Sequence, residues 1–216
     1  LKGDAYQGLL FEATKRQITY QEQKTYFDVL RLTVDDKYSW DFAMLGVGLR
    51  YINGVGKPDM LHYVESFGME GHYDFASNRG YIWSRTFPLL KRTLLLGVGR
   101  DNFAYAFPND DYVGKVNCGF NEQIVTKPHN MYLQIWVQDG LPALLAFLAL
   151  YLLLFCRTIR KCFKKGKWNR SQKISLALLC GVSGYFVAGL ANDSSICVAP
   201  VFWILFGVAF AVSRRD

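Results

Sequence analysis

The chain has 216 residues, 51% of them apolar and 16% aromatic, and a formal net charge of +7. That length suffices for one moderate domain, or for a small domain with membrane segments. The averages hide a division at about residue 136: residues 1–136 are mixed and neutral, with 15 Lys/Arg against 15 Asp/Glu, whereas residues 137–216 are apolar runs around one basic run. Three such runs in so little chain exclude a single soluble core, which needs far more chain to cover them.

The charge excess lies in Arg157–Lys173, with eight basic residues and no acidic one, and in Arg214-Arg215. A basic run with interleaved aromatics can bind nucleic acid. Between two apolar runs it reads instead as a loop held on the cytoplasmic side, and no nucleic-acid partner is expected. The five cysteines (Cys118, Cys156, Cys162, Cys180 and Cys197) contain no CxxC pair and form neither a zinc pattern nor a disulfide framework. The chain begins at Leu1 without an initiator Met or signal peptide, so earlier spans are expected upstream.

In chain order, Lys24–Val34 and Ser39–Leu49 are rich in β-branched and aromatic residues around Asp35-Asp36-Lys37, which predicts a β-hairpin over 24–49. Asn53–Pro58 breaks the chain, and residues 59–77 show no clear period. Asn78–Leu96 carries Ile82, Trp83, Phe87, Leu90 and Leu94 at helical spacing; Pro88 is expected to kink this helix or to start a second segment. Gly97-Val98-Gly99 ends it, and residues 100–128 read as a long ordered loop, a length often associated with function.

A second helix starts at His129 and is interrupted at Gly140 and Pro142. Residues 1–136 are thus expected to be an extracytoplasmic region, with the helical active part at 78–136. Membrane spans follow at 137–156, 174–191 and 196–212. The 157–173 loop and the 213–216 end lie inside, and the 192–195 turn outside. The fold class expected is a mainly α membrane protein, with an external mixed α/β region containing a β-hairpin, followed by three transmembrane helices.

Several residues can carry chemistry. His129 sits at the mouth of a helix near the expected outer surface, where a neutral imidazole accepts a proton; an ordinary capping or buried histidine is the alternative. Arg79 opens the other helix with a guanidinium fork that matches phosphate oxygens, and a surface arginine is its alternative. Gly97-Val98-Gly99-Arg100 can cradle a phosphate but lacks the strand and helix of a P-loop, which leaves a tight turn as the plainer use of Gly97 and Gly99. His62 and His72 with Glu65 and Glu70 match no ligand spacing, so no metal is expected. Asp110-Asp111 reads as a solvated loop.

The ordered strings Ser77-Asn78-Arg79-Gly80-Tyr81-Ile82-Trp83, Leu94–Gly99 and Asn102-Phe103 resemble the large external loop of O-antigen ligases and related Wzy-type polymerases. His129-Asn130, then Gly140-Leu141-Pro142-Ala143, is similar to the histidine motif of that family, with Ala143 where a second glycine is usual and Arg100 where Pro often follows Gly-x-Gly. The resemblance covers roughly residues 77–212. It implies a multi-pass protein of the bacterial cytoplasmic (inner) membrane that transfers a glycan from a polyprenyl-diphosphate carrier, such as undecaprenyl diphosphate, to an acceptor hydroxyl on a glycan, lipid or protein, without cofactor or metal. It further implies that His129 is the base and that Arg79 binds the diphosphate. Arg100, beside the glycine turn, is expected to be the first further arginine, ahead of Arg85 and Arg92; Asn130 and Gln134 are expected to orient His129 or the acceptor, and the Gly140 break to let the His129 helix lie along the membrane. A lipid-linked glycan transporter and a non-catalytic membrane-anchored binding or sensor module are the rival readings.

Overall fold

The computed structural model describes residues 8–20, 23–36, 38–46, 48–53, 55–119, 123–163 and 167–214. Lys37 of the expected hairpin turn, Gly54, residues 164–166 of the basic loop and Arg215 lie outside the described residues. The chain divides into two compact units: one runs through Glu65 and includes Pro108–Ile124, and the other comprises Ser66–Phe107 and Val125 onward.

The first unit is an antiparallel meander of β1 (Leu9–Tyr20), β2 (Gln23–Val34), β3 (Tyr38–Leu45), β4 (Gly48–Ile52) and β5 (Pro58–Asp59), paired in sequence order. Strand alternation sorts its residues into two faces. On one, Val29 opposes Ala43 and Arg31 opposes Asp41; Val29 and Ala43 are fully buried and Ile52 packs with them. Asp41 is buried beneath two arginines. Arg31 donates to both its oxygens (2.7 and 3.0 Å), and Arg16 donates to Oδ2. The Arg31 guanidinium holds the Asp41 carboxyl below its ordinary value, against the opposing push of burial. On the other face, Phe11, Leu30, Leu32, Phe42 and Tyr51 line a concavity of about 470 Å³. A short helix, α3 (Tyr112–Asn117), is capped by Asp111, whose side chain accepts from the Gly114 amide. Burial, with a 2.6 Å hydrogen bond to Asp59, pushes the Tyr112 hydroxyl up to about 12.

The second unit is helical: α1 (Phe75–Arg92), α2 (Phe103–Ala106), α4 (Met131–Asp139), α5 (Leu141–Cys162), α6 (Arg170–Ala188) and α7 (Ala199–Arg214). In α1 the break falls at Ala76, Ser77 and Asn78, all left-handed, and the helix continues through Pro88. Proline has no N–H to give the carbonyl four residues back. That carbonyl, Ser84, instead accepts from the Phe67 amide at 2.9 Å. Helices α5, α6 and α7 pack around Phe147, Leu154, Leu179, Val182, Phe186, Phe202 and Phe206. Ring stacks run from Tyr151 to Phe186 (4.1 Å) and from Tyr185 to Phe202 (4.1 Å). At the far end, the buried Lys161 Nζ donates to Ser171 Oγ and to the Val212 carbonyl, which joins the three helices where their basic residues gather.

The expected fold class requires two corrections. The hairpin over 24–49 is the middle of a five-stranded sheet that begins at Leu9; in β1 the polar run Lys15-Arg16-Gln17 interrupts the apolar positions and conceals the strand. Of the three expected transmembrane helices, one described helix, α5 with 22 residues, is long and apolar enough to cross a bilayer. Helix α7 has 16 residues, a rise of about 24 Å against a hydrocarbon core of about 30 Å. Helix α6 begins with Arg170, Gln172 and Lys173 and loses a turn of apolar length to them.

Candidate active site

Helix α4 begins at Asn130, an extended residue whose side-chain oxygen accepts from the amides of Tyr132 and Leu133, both at 3.0 Å. This satisfies two of the amides a helix start leaves without partners. Immediately before it, His129 adopts a left-handed backbone with φ of 51°. For a non-glycine residue that conformation costs free energy and persists only where its neighbours hold it. They do so on both sides. Pro128 is fully buried, and its carbonyl accepts from the Trp83 indole at 2.8 Å. On the other side stands the Asn130 cap.

The turn between α6 and α7 is laced to the first turn of α4. The Met131 amide donates to the Gly189 carbonyl (2.8 Å) and Asn130 Nδ2 to the Leu190 carbonyl (2.9 Å). Gln134 Oε1 accepts from the Ser194 amide (3.0 Å). Gly189 permits this approach, because a Cβ there would overlap the Met131 side chain. The lacing brings Asp193 Oδ2 to 2.9 Å from His129 Nδ1. The two partners differ in exposure: the Asp193 side chain is 9% exposed and that of His129 49%. A carboxylate buried beside Nδ1 holds the imidazole with its proton on that nitrogen and leaves the Nε2 lone pair as the acceptor. Asp193 Oδ1 is buried with no hydrogen-bond partner among the described residues. Nearby, the Tyr132 hydroxyl donates to the Phe186 carbonyl at 2.6 Å, and burial raises its titration above the ordinary tyrosine value.

Asn130 and Gln134 are therefore brought to His129 through the turn that carries Asp193. Arg79 is linked at one remove: it lies one helical turn before Trp83, the residue that fixes Pro128. Its Nη1 donates to the Ala76 carbonyl at 2.7 Å, and its Nε is buried with no partner among the described residues. Arg100 is not brought to this group. Its Nε lies 3.2 Å from Asp139 Oδ1 at the opposite end of α4, on the order of 15 Å from His129 by helical rise. Arg85 is buried against the rings of Tyr73 and Tyr81 and donates to Ser84.

The glycine string is a strap rather than a phosphate loop. The Val98 and Gly99 amides donate to the Val137 and Gln138 carbonyls, both at 2.9 Å, and so satisfy carbonyls that the end of α4 leaves without helical partners. A Cβ at Gly97 would overlap the Gln138 carbonyl; at Gly140, φ 93°, it would crowd the Leu95 carbonyl. The His62 Nε2 lies 3.3 Å from Asp110 Oδ2. Among the described residues no three His, Cys, Asp or Glu side chains gather where they would hold a metal ion.

Sequence reasoning missed Asp193, which it passed over as part of a polar turn. A signal was present: after residue 136 the chain has three acidic residues, Asp139, Asp193 and Asp216. An isolated carboxylate amid apolar runs marks a functional position more often than a decorative one.

A family model described as O-antigen ligase matches residues 38–148, from β3 into the first turns of α5. The matched stretch contains Arg79, the glycine strap, His129, Asn130 and Gln134; β1, β2 and Asp193 lie beyond it. No curated protein and no solved structure shows significant similarity to the chain. The chain belongs to the O-antigen ligase family, bacterial inner-membrane proteins of the glycosyltransferase-like ligase and polymerase type, which serve polysaccharide biosynthesis with a lipid-linked glycan and an acceptor as partners.

Proposed function

We propose that the protein transfers a glycan from a polyprenyl-diphosphate carrier to an acceptor hydroxyl, with His129 as the base and Asp193 as the group that orients it. The contact between His129 Nδ1 and Asp193 Oδ2 at 2.9 Å carries this reading. With Nδ1–H committed to a buried carboxylate, Nε2 is the proton acceptor, and the imidazolium formed during attack is stabilised by the adjacent charge. The acceptor oxygen attacks the anomeric carbon, its proton passes to Nε2, and the bond from that carbon to the diphosphate oxygen breaks. The diphosphate leaves on its carrier with the bonding electron pair.

A leaving diphosphate gains negative charge, and a fixed cation lowers the barrier to its departure. Arg79 takes this role: its buried Nε has no protein partner among the described residues, and a guanidinium donor kept out of water is suited to a phosphate oxygen. In this reading α5 crosses the inner membrane. The basic residues Arg157, Arg160 and Lys161 near its end lie on the cytoplasmic side. The elbow at Gly140, His129 and the Asp193 turn then lie at the outer face, with residues 1–136 extracytoplasmic. Further spans outside the described helices would make the protein multi-pass.

The test is glycan transfer by the full-length protein reconstituted in vesicles with a polyprenyl-diphosphate-linked glycan and its acceptor. His129→Ala should lower kcat by about 10²–10⁴-fold, and Arg79→Ala should lower it comparably, with protein levels unchanged. Normal transfer by both variants would end the proposal. Transbilayer movement of donor without a new glycosidic bond would identify a transporter instead.

A further inference from the structure

The concavity of the sheet unit, about 470 Å³, falls within the size range of small-molecule sites and contains none of the residues assigned to glycosyl transfer. It is built by strand register. Ala13 opposes Leu30, Leu30 opposes Phe42, Phe42 opposes Tyr51 and Tyr51 opposes Asp59, one row of side chains across five strands. Directly opposed residues share a face, so the row sets two rings side by side and one carboxylate at its end. The sheet curls until β1 comes near β5 without pairing with it. Phe11 of β1 and Leu61, two residues past β5, then line the concavity from its two edges.

The charge of this lining decides what it can hold. Phe42 and Tyr51 meet edge to face with ring centroids 6.0 Å apart, and aromatic faces carry partial negative charge. Asp59 is oriented by two neutral donors: the Tyr112 hydroxyl at 2.6 Å from Oδ2 and the Met60 amide at 2.8 Å from Oδ1. Burial and Asp59 itself keep that hydroxyl protonated, so it goes on donating. A carboxylate has about four lone-pair sites, so two donors leave room for a further partner. Among the described residues no Lys, Arg or His pairs with Asp59. His62 faces Asp110, and Lys115 Nζ donates to the Gln123 carbonyl. Arg50 also borders the concavity, but it opposes Ala43, which is buried with Val29 on the other face, and strand alternation directs its guanidinium to that face. The concavity thus sets one fixed negative charge among rings, with no positive charge to cancel it. We propose that it binds an organic ammonium ion carrying an apolar ring or short chain. The charged head lies at Asp59 beside Tyr51, drawn by the carboxylate and by the ring. The half-exposed Phe11, Leu49, Met60 and Leu61 cover the apolar substituent.

The experiment uses the full-length protein in dodecyl maltoside, with benzyltrimethylammonium, tetramethylammonium and phenylacetate as probes, read by ligand-detected NMR against empty micelles. Benzyltrimethylammonium should bind saturably and more tightly than tetramethylammonium, and phenylacetate should not bind. Asp59→Asn keeps a carbonyl for the Tyr112 hydroxyl and removes the charge; it should raise the apparent Kd of both cations about tenfold. Phe11→Ala, at a half-exposed position, should raise the Kd of benzyltrimethylammonium alone, by about threefold. Binding of phenylacetate, cation binding indifferent to Asp59→Asn, or no saturable cation binding would each overturn the proposal. So would a dimer of the full-length protein that dissociates in Phe11→Ala, because a second copy would then cover this face.

Discussion

The two units solve opposite problems with the same kinds of residue. In the sheet unit, the buried polar side chains of the described residues find their complement: Asp41 is met by both Arg31 and Arg16, and Tyr112 by Asp59. The left-handed non-glycine residues there, Asp35 and Asp36, form an ordinary turn. In the helical unit strained residues stand at the site, where Ala76, Ser77 and Asn78 precede Arg79 and His129 is itself left-handed, and also at Met69 and Asp101. Among the described residues, the buried side-chain polar atoms without partners all lie in this unit: Arg79 Nε and Asp193 Oδ1 by these residues, and Trp136 Nε1, Arg157 Nη1, Thr158 Oγ1 and Ser175 Oγ elsewhere. Strain and unspent hydrogen-bonding capacity thus gather in the helical unit, and at Arg79 and Asp193 they stand where the proposed reaction needs them.

The comparison is broken most directly at the dyad. If His129 and Asp193 act as one device, removing either costs most of what removing both costs. His129→Ala and the double variant His129→Ala/Asp193→Ala should therefore transfer glycan at similar rates, each about 10²–10⁴-fold below wild type, while thermal unfolding of the sheet is unmoved. Multiplicative losses in the double variant would mean that the two residues act separately. Next in size is Gly140→Ala. Both its positive φ and its approach to the Leu95 carbonyl oppose a side chain. The cost should be about 2–4 kcal/mol, read as a fall in the melting temperature of the purified protein; an unchanged melting temperature would show that the elbow relaxes freely.

These two effects mark where sequence reading succeeded and where it stopped. His129, Asn130 and Gly140 were legible because helix starts and stops have local chemistry, and the family resemblance fell on the same residues. The strap's glycines were legible as a turn but not as caps of a helix forty residues later, because close approach of two backbones leaves no trace in spacing. Asp193 was illegible for the same reason: its partner is 64 residues away, and only the packing of α4 against the end of α6 joins them. The span count failed because the expected spans 174–191 and 196–212 took in residues 189–191 and 196–198, which the structure gives to the turn between α6 and α7. Pro88 was read as a kink, yet the kink falls ten residues earlier, where three residues turn left-handed.

Asp41→Asn tests the other unit. Replacing a buried carboxylate that accepts from two arginines should cost about 1–3 kcal/mol, and glycan transfer should persist wherever the sheet stays folded. The sign of the pH effect is fixed by the direction of the shift. The Asp41 carboxyl titrates below its ordinary 3.8 when folded, so its contribution is complete above that value and is lost as pH falls through the depressed one. Wild type and Asp41→Asn should therefore differ in melting temperature near neutrality and converge below pH 3.8. A gap that widens on acidification would contradict the ion-pair account.

The smallest expected effect lies at Pro88→Ala, and it sharpens the contrast because it asks how the helical unit treats a single backbone group. Alanine restores an N–H that can reach the Ser84 carbonyl, which now accepts from Phe67. A carbonyl has two lone pairs and can serve both donors, so the new helical bond need not displace the old one. Against that gain stands the greater freedom of the unfolded chain once the proline ring is removed, an opposing contribution of about 0.4–1 kcal/mol. The two nearly cancel, and the melting temperature should move by no more than about 2 °C. A large destabilisation would mean that Pro88 holds the Phe67 segment against α1 by shape rather than by leaving an acceptor open. In that case the helical unit too would contain a group satisfied as completely as those of the sheet.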